Sequence, residues 1–307
     1  MPFGIGRQSI KSGIVILPSA AAIDLIVTGG GSGGGYNNTT AAGGGAGLYT
    51  DYTSLSVAPG TTYTITIGAG GAGKSNANSG GGAAGSASSF IGGAINKSAA
   101  GAPAGLMNGS NSASNQAPTS GYGYTSIPAD WLKPNPAYGG SVNGYYPGNP
   151  PSGTSYQAWG GAGHGSGPVG GTGGIGVSTW AVGIFGAWPK GGVCYGGGGG
   201  CGGTGGNGAG HRMYNSNGNV EGGGGAYSKS DFTGDWWAQH AQQNSASGGG
   251  GGAVTAASSP GSNGGSGVVY VRYPSSRKLA TTTGSPAIVT TGGYRYYKFT
   301  GSGTITF

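Results

Sequence analysis

Apolar and polar residues alternate with a two-residue period at only a few places along this chain, and those places predict its strands. Residues 61–67 set tyrosine and isoleucine between threonines, in Thr62-Tyr63-Thr64-Ile65-Thr66-Ile67, and read as a half-buried strand behind the turn dipeptide Pro59-Gly60. Ile23-Asp24-Leu25-Ile26-Val27-Thr28 reads as a strand that runs straight into Gly29, Gly30 and Gly31, and residues 268–273 as a third. Near the end of the sequence, residues 294–299 and 304–307 predict two more, with 301–303 between them as in a hairpin. No stretch places apolar residues at helical spacing, so helix is expected to be nearly absent.

Between these strands lies glycine, 79 residues of 307, against an ordinary share of ~7%. In the longest run it keeps a three-residue register. Gly196, Gly199, Gly202, Gly205 and Gly208 form one row and Gly197, Gly200, Gly203 and Gly206 a second. The third row, Gly198, Cys201, Thr204, Asn207 and Gly210, holds most of the side chains, and residues 167–176 repeat the pattern. Three residues per turn is the polyproline II repeat, and glycine lets such threads approach closely enough to pair their backbone amides. The expected fold is therefore irregular, all-β in its ordered elements: a bundle of polyglycine II helices with flanking β-strands, long aromatic loops and almost no α-helix. Collagen is excluded because glycine doublets and quintets break a strict Gly-X-Y frame. Disorder, the default for so much glycine and proline, is opposed by 18 Tyr and 6 Trp gathered between the glycine runs.

The text divides the chain into an N-terminal anchoring arm at 1–20, a glycine-rich domain at 21–275 and a C-terminal β segment at 276–307. Glycine thins out in two loop inserts, 106–160 and 211–243, where Asn, Ser, Pro, Tyr and Trp take over. The arm carries Arg7 and Lys11 ahead of Ile14-Val15-Ile16-Leu17, an apolar core too short for a secretory signal and stopped by Pro18. No segment reaches the roughly 20 apolar residues of a membrane span, so no membrane insertion is expected. The charge of +7 comes from 13 basic and 6 acidic residues that are scattered without a stripe, and nucleic acid is not an expected partner.

The motifs that suggest chemistry are weak. Gly68-Ala69-Gly70-Gly71-Ala72-Gly73-Lys74-Ser75 satisfies the phosphate-loop pattern, but Asn76 to Gly82 cannot supply the helix whose N-terminus would hold the phosphates. The three-residue frame explains the same residues, with Ala69, Ala72 and Ser75 on one row. Cys194 and Cys201, separated by extended chain, are expected as free thiols. His164, His211 and His240 are isolated, so no metal and no cofactor are expected. Asp231 and Asp235 form the one close acidic pair, beside Trp236 and Trp237, and fit a solvated turn better than a hydrolytic site. The chain is not expected to be an enzyme.

The aromatic inserts carry the functional expectation. Tyr and Trp give stiff contact area with a polar handle, and Asn, Ser and Gly give adaptable hydrogen bonding, which together make a recognition surface. Trp131, Tyr138, Tyr145, Tyr146, Tyr156, Trp159, Tyr214, Trp236 and Trp237 are the candidate receptor-binding residues.

Four segments carry a family likeness: Leu25-Ile26-Val27-Thr28-Gly29-Gly30-Gly31, residues 62–71, Gly267-Val268-Val269-Tyr270-Val271-Arg272-Tyr273, and the tail from Gly292-Gly293-Tyr294 to Phe307. They resemble the glycine-rich domains of bacteriophage tail and other virion proteins. The chain is similar to the polyglycine II distal adhesins of T-even-type long tail fibres, over roughly residues 21–307. The resemblance implies a non-enzymatic protein of the virion surface, outside the host cell, whose loops at 106–160 and 211–243 touch a host receptor, a glycan or an outer-membrane protein. The anchoring arm at 1–20, in place of the substantial N-terminal attachment domain of those adhesins, is expected to dock to a neighbouring virion protein, and the threefold habit of tail fibres implies a homotrimer. The alternative is a purely structural component: a capsid decoration, head fibre or tail appendage.

Overall fold

Threonine alternates with tyrosine and isoleucine over residues 62–66, and the segment folds accordingly: Tyr63 and Ile65 are buried while Thr62, Thr64 and Thr66 face solvent. The structure is a computed structural model. It describes residues 17–37, 40–41, 44–75, 81–102, 104, 180–181, 184–185, 202–203, 213–214, 220–221, 241, 243–249, 252–255, 257–258 and 260–307.

In chain order the strands are β1 (Ala22–Thr28), β2 (Tyr36–Asn37), β3 (Thr40–Ala41), β4 (Tyr49–Ser56), β5 (Thr62–Thr66), β6 (Ser88–Gly92) and β7 (Ile95–Ala99). Then come β8 (Gly202–Gly203), β9 (Met213–Tyr214), β10 (Val220–Glu221), β11 (Gly252–Thr255) and β12 (Ala257–Ser258). The last five are β13 (Val268–Pro274), β14 (Thr281–Thr282), β15 (Ala287–Thr291), β16 (Tyr294–Phe299) and β17 (Gly303–Thr306). Two five-stranded antiparallel sheets dominate, in the orders β15-β16-β13-β1-β4 and β14-β17-β5-β6-β7.

The two sheets bury their apolar faces in one core. The first supplies Leu25, Val27, Val269, Val271, Tyr273, Tyr297 and Phe299, and the second Tyr63, Ile65, Phe90, Ile95, Ala99 and Ile305. Tyr63 stacks on Phe90 with centroids 5.0 Å apart, and Phe307 wedges between Tyr63 and Tyr273 at 5.7 and 5.6 Å. The hydroxyls of Tyr273 and Tyr297 lie 2.7 Å apart, and both accept the Ala280 N–H. Because Tyr273 donates to the Lys278 carbonyl, Tyr297 is left to donate to Tyr273.

Burial, and then the hydrogen bond to Tyr273, push the Tyr297 phenol well above the ordinary tyrosine range. A folded-state value above the unfolded one means that this contribution to stability is complete below pH ~10 and is lost as pH rises beyond it. We expect wild-type stability to fall above pH ~10 and Tyr297→Phe to fall less steeply, by up to about 1.4 kcal/mol per pH unit. Urea midpoints of the two proteins between pH 8 and 11 check this.

Beyond the sandwich the chain continues as glycine-rich segments joined mainly through their backbones. Residues 29–35, which prolong β1, are all buried. Gly29 and Ser32 donate to the Leu48 and Gly45 carbonyls, Gly30 and Gly33 to Ser86 and Ala83, and Gly31 and Gly34 to Gly265 and Ser262. Every third residue thus returns to the same neighbour. The carbonyls of this segment accept from Gly71 and Lys74, from Ala102, and from Gly249. Six segments therefore surround one. At these glycines no side chain fits: a Cβ on Gly30 would lie 2.0 Å from the Ala69 oxygen, and one on Gly31 2.0 Å from that of Ser247.

The expected architecture is corrected by these findings. The described residues form an all-β fold organised by two antiparallel sheets, and polyglycine II helices are not shown among them. Gly202 and Gly203, taken from the clearest three-residue run, are paired as β8 with β3 in an antiparallel ladder. The physical reason is side-chain burial. Each large apolar residue removed from water contributes about 1.5–3 kcal/mol, and the strands hold these residues where glycine runs hold none. The expected C-terminal hairpin is corrected too. β16 lies in the first sheet and β17 in the second, and the hairpin partner of β16 is β15, across Gly292 and Gly293 with φ of 56° and 79°. Two successive glycines at positive φ make the tight turn that suits strand twist.

Candidate functional site

Successive residues of a strand point to opposite faces, so the strands that send Val269, Val271, Tyr273, Tyr297 and Phe299 inward send Tyr270, Arg272, Tyr294, Tyr296 and Lys298 outward. The register places Tyr270 opposite Lys298 and Arg272 opposite Tyr296, with Asp24 of β1 on the other side of Arg272. Two cations and two tyrosines thus occupy alternate corners of a square on the outer face of the first sheet.

Trp180 and Phe185 cover this square. The Trp180 ring lies 4.5 Å from the Arg272 guanidinium carbon, 6.0 Å from the Tyr296 ring and 6.5 Å from that of Tyr270, while Phe185 sits 5.8 Å from Tyr270. Ile26, Ala181 and Val268 complete a small second apolar cluster. Tyr294 approaches Arg272 at 4.8 Å, so the guanidinium has an aromatic ring within cation–π reach on two sides.

The electrostatics of the face are unbalanced. Asp24 accepts the Arg272 Nε–H at 2.8 Å through Oδ2 and the Ser54 N–H at 2.9 Å through Oδ1. The two terminal nitrogens of Arg272 make no hydrogen bond among the described residues. Lys298 is half-buried, stands 5.9 Å from the Tyr270 ring and has no hydrogen-bond or ion-pair partner among them. Desolvation lowers its pKa. The indole N–H of Trp180 is enclosed without an acceptor, an arrangement rare in folded proteins.

Trp131, Tyr138, Tyr145, Tyr146, Tyr156, Trp159, Trp236 and Trp237 lie outside the described residues, and of Tyr214 only its backbone pairing with Val220 in the β9–β10 ladder is described. Cys194, Cys201, His164, His211, His240, Asp231 and Asp235 also lie outside them. Among the described residues no three His, Cys, Asp or Glu side chains gather as a metal ion would require, and no helix is long and apolar enough to cross a membrane.

The phosphate-loop pattern at 68–75 is an extended segment whose amides are engaged. Gly68 donates to Ser88 Oγ, Gly71 to the Gly31 carbonyl, Gly73 to Asn263 Oδ1 and Lys74 to the Gly34 carbonyl. Ala69, Ala72 and Ser75 face solvent while Gly68 and Gly71 are buried, as their shared row suggests.

The Trp180–Arg272 cluster was missed by sequence reasoning. A signal was present in the alternation Tyr270-Val271-Arg272-Tyr273 and Tyr296-Tyr297-Lys298-Phe299, which puts aromatic and cationic residues on the face opposite the core. Nothing local indicates that Trp180, some 90 positions earlier, covers it. No curated protein and no solved structure matches the chain. A family model for a glycine-rich domain matches residues 10–274, and the chain belongs to that family.

Proposed function

We infer that this glycine-rich domain is a non-enzymatic bacteriophage virion protein, a tail-fibre or tail-associated adhesin that holds its aromatic segments against a host surface receptor. The observation that supports this reading is that described residues beside each aromatic insert are bonded into the glycine layer. Ala102, shortly before the first insert, donates to the Gly30 carbonyl at 2.8 Å. Ala241 and Asn244, around the end of the second, donate to the Asn263 carbonyl and to Ser266 Oγ, each at 2.9 Å. A stiff base limits the ordering entropy that receptor binding would otherwise cost. The extracellular virion location, the homotrimer and the receptor, a glycan or outer-membrane protein, belong to the same reading.

Alanine at Trp131, Tyr145, Trp159 and Trp236 together is expected to lower binding of purified protein to bacterial envelope extracts by about tenfold or more, without moving the thermal midpoint. Unchanged binding would count against the adhesin.

The structural-component reading draws on a different feature. Lys278 donates to the Pro18 carbonyl at 2.8 Å, fixing the exit of the N-terminal arm beside Leu17 and Leu279, which are 40% and 55% exposed. Apolar side chains at an arm's root suit docking to a neighbouring virion protein. On this reading, deleting residues 1–16 blocks incorporation into particles and leaves envelope binding intact.

A further inference from the structure

Among the described residues, the outer face of the first sheet leaves several hydrogen-bond donors without an acceptor. Both oxygens of Asp24 are occupied, by Arg272 Nε–H and by the Ser54 amide. Left over are the terminal nitrogens of Arg272, the Lys298 ammonium and the enclosed Trp180 indole N–H. Asp51 does not restore the balance. It lies opposite Ile26 on β4, two strands from β13 and therefore about 10 Å away, and it has a partner of its own.

Arg272 and Lys298 are diagonal neighbours across the β13–β16 pair, about 7–8 Å apart at their bases. Long side chains at that spacing can reach a common oxyanion at the rim of the Trp180 cover. Lys298 is half-buried with no counter-ion among the described residues, which is costly to keep, and an anion from outside would serve it together with the free end of Arg272. The end of a guanidinium fork suits the paired oxygens of a carboxylate or phosphate. Around it, Tyr294 and Trp180 offer aromatic faces, both of them half-buried and thus partly open, against which the C–H face of a pyranose ring can pack.

We propose that the Trp180–Arg272–Lys298 face binds a saccharide bearing an oxyanion, with Arg272 and Lys298 holding the anion and Tyr294 and Trp180 the ring. This rests on the reading of the chain as a surface-binding protein and names the class of sugar such a surface would present. The face would then be a contact region separate from the aromatic inserts.

The test is titration of the full chain, by calorimetry, with glucuronate, glucose 6-phosphate, glucose and sulfate. Glucuronate or glucose 6-phosphate should bind about tenfold or more tightly than glucose, and the better of the two tells carboxylate from phosphate. Lys298→Met should weaken that binding about tenfold while leaving the thermal midpoint unchanged or raised, because a desolvated charge is removed. Equal binding of glucose, sulfate binding as tightly as the charged sugars, or no binding at all would overturn the proposal, whatever the variant does. Envelope binding by the wild-type protein is measured in parallel. If envelope binding persists and survives Lys298→Met while neither charged sugar binds, this site is wrong and the adhesin reading stands. If envelope binding is absent while the charged sugars bind, the adhesin reading fails and the site stands.

Discussion

Gly31→Ala is expected to lower the thermal midpoint by about 10 °C or more. The added Cβ would meet the Ser247 carbonyl oxygen at 2.0 Å and its carbon at 2.4 Å. Both atoms are backbone, so no side chain can turn aside. Relief requires the segment around Ser247 to move away from residues 29–35. That movement strains the Gly249 N–H to Ser32 carbonyl bond and the Gly265 N–H to Ser247 carbonyl bond, at 2.9 and 2.8 Å. Overpacking of this kind costs about 3 kcal/mol, and two weakened hydrogen bonds add about 1 kcal/mol each, for a total near 5 kcal/mol. Gly301→Ala is the control, since nothing lies within 4 Å of its added Cβ, and it should change stability by less than about 0.5 kcal/mol. Thermal melts of the two variants beside wild type decide the matter. If Gly31→Ala melts like Gly301→Ala, the close approach of these backbones is wrong.

Phe90→Ala should cost about 3–5 kcal/mol. The ring is fully buried, stacks on Tyr63 at 5.0 Å with an interplanar angle of 14°, and belongs to the cluster that unites both sheets. Removing it leaves a cavity that rigid strands on two sides cannot close. The next residue provides the contrast. Ile91 is 44% exposed on the opposite face, so Ile91→Ala should cost less than about 0.5 kcal/mol. Chemical denaturation of the pair measures both values. Similar losses at the two positions would mean that the alternation of β6 is misassigned.

The parts of the fold legible in the sequence were those where a single strand declares its own faces. Thr62 to Thr66 alternate cleanly, and Ile23 to Thr28 and Val268 to Tyr273 are dense in β-branched residues, so each strand could be read without its partner. β4 and β7, in Tyr49-Thr50-Asp51-Tyr52-Thr53-Ser54-Leu55-Ser56 and Ile95-Asn96-Lys97-Ser98-Ala99, lack that density. They pair because β1 and β6 present free edges to them, which is information held elsewhere in the chain. Residues 301–303 look like a hairpin turn, yet they carry the chain from one sheet to the other, a choice set by the core that Tyr297 and Ile305 share. The three-residue glycine grammar pointed to backbone pairing, which occurs around residues 29–35, and overestimated its share in organising the fold. For the candidate site, the cations and tyrosines of β13 and β16 were visible as an outward row. The cover supplied by Trp180 was not, because contact across some 90 residues leaves no trace in local pattern.

A sheet can be peeled from its edge one hydrogen bond at a time. The segment at 29–35 has no edge, since its amides and carbonyls reach six neighbours around it, and tension along β1 would have to shear all of those bonds together. The glycine layer is in that respect a joint that resists shear. Pulled along its length, the protein should yield at the sandwich before it yields where the chain has almost no side chains.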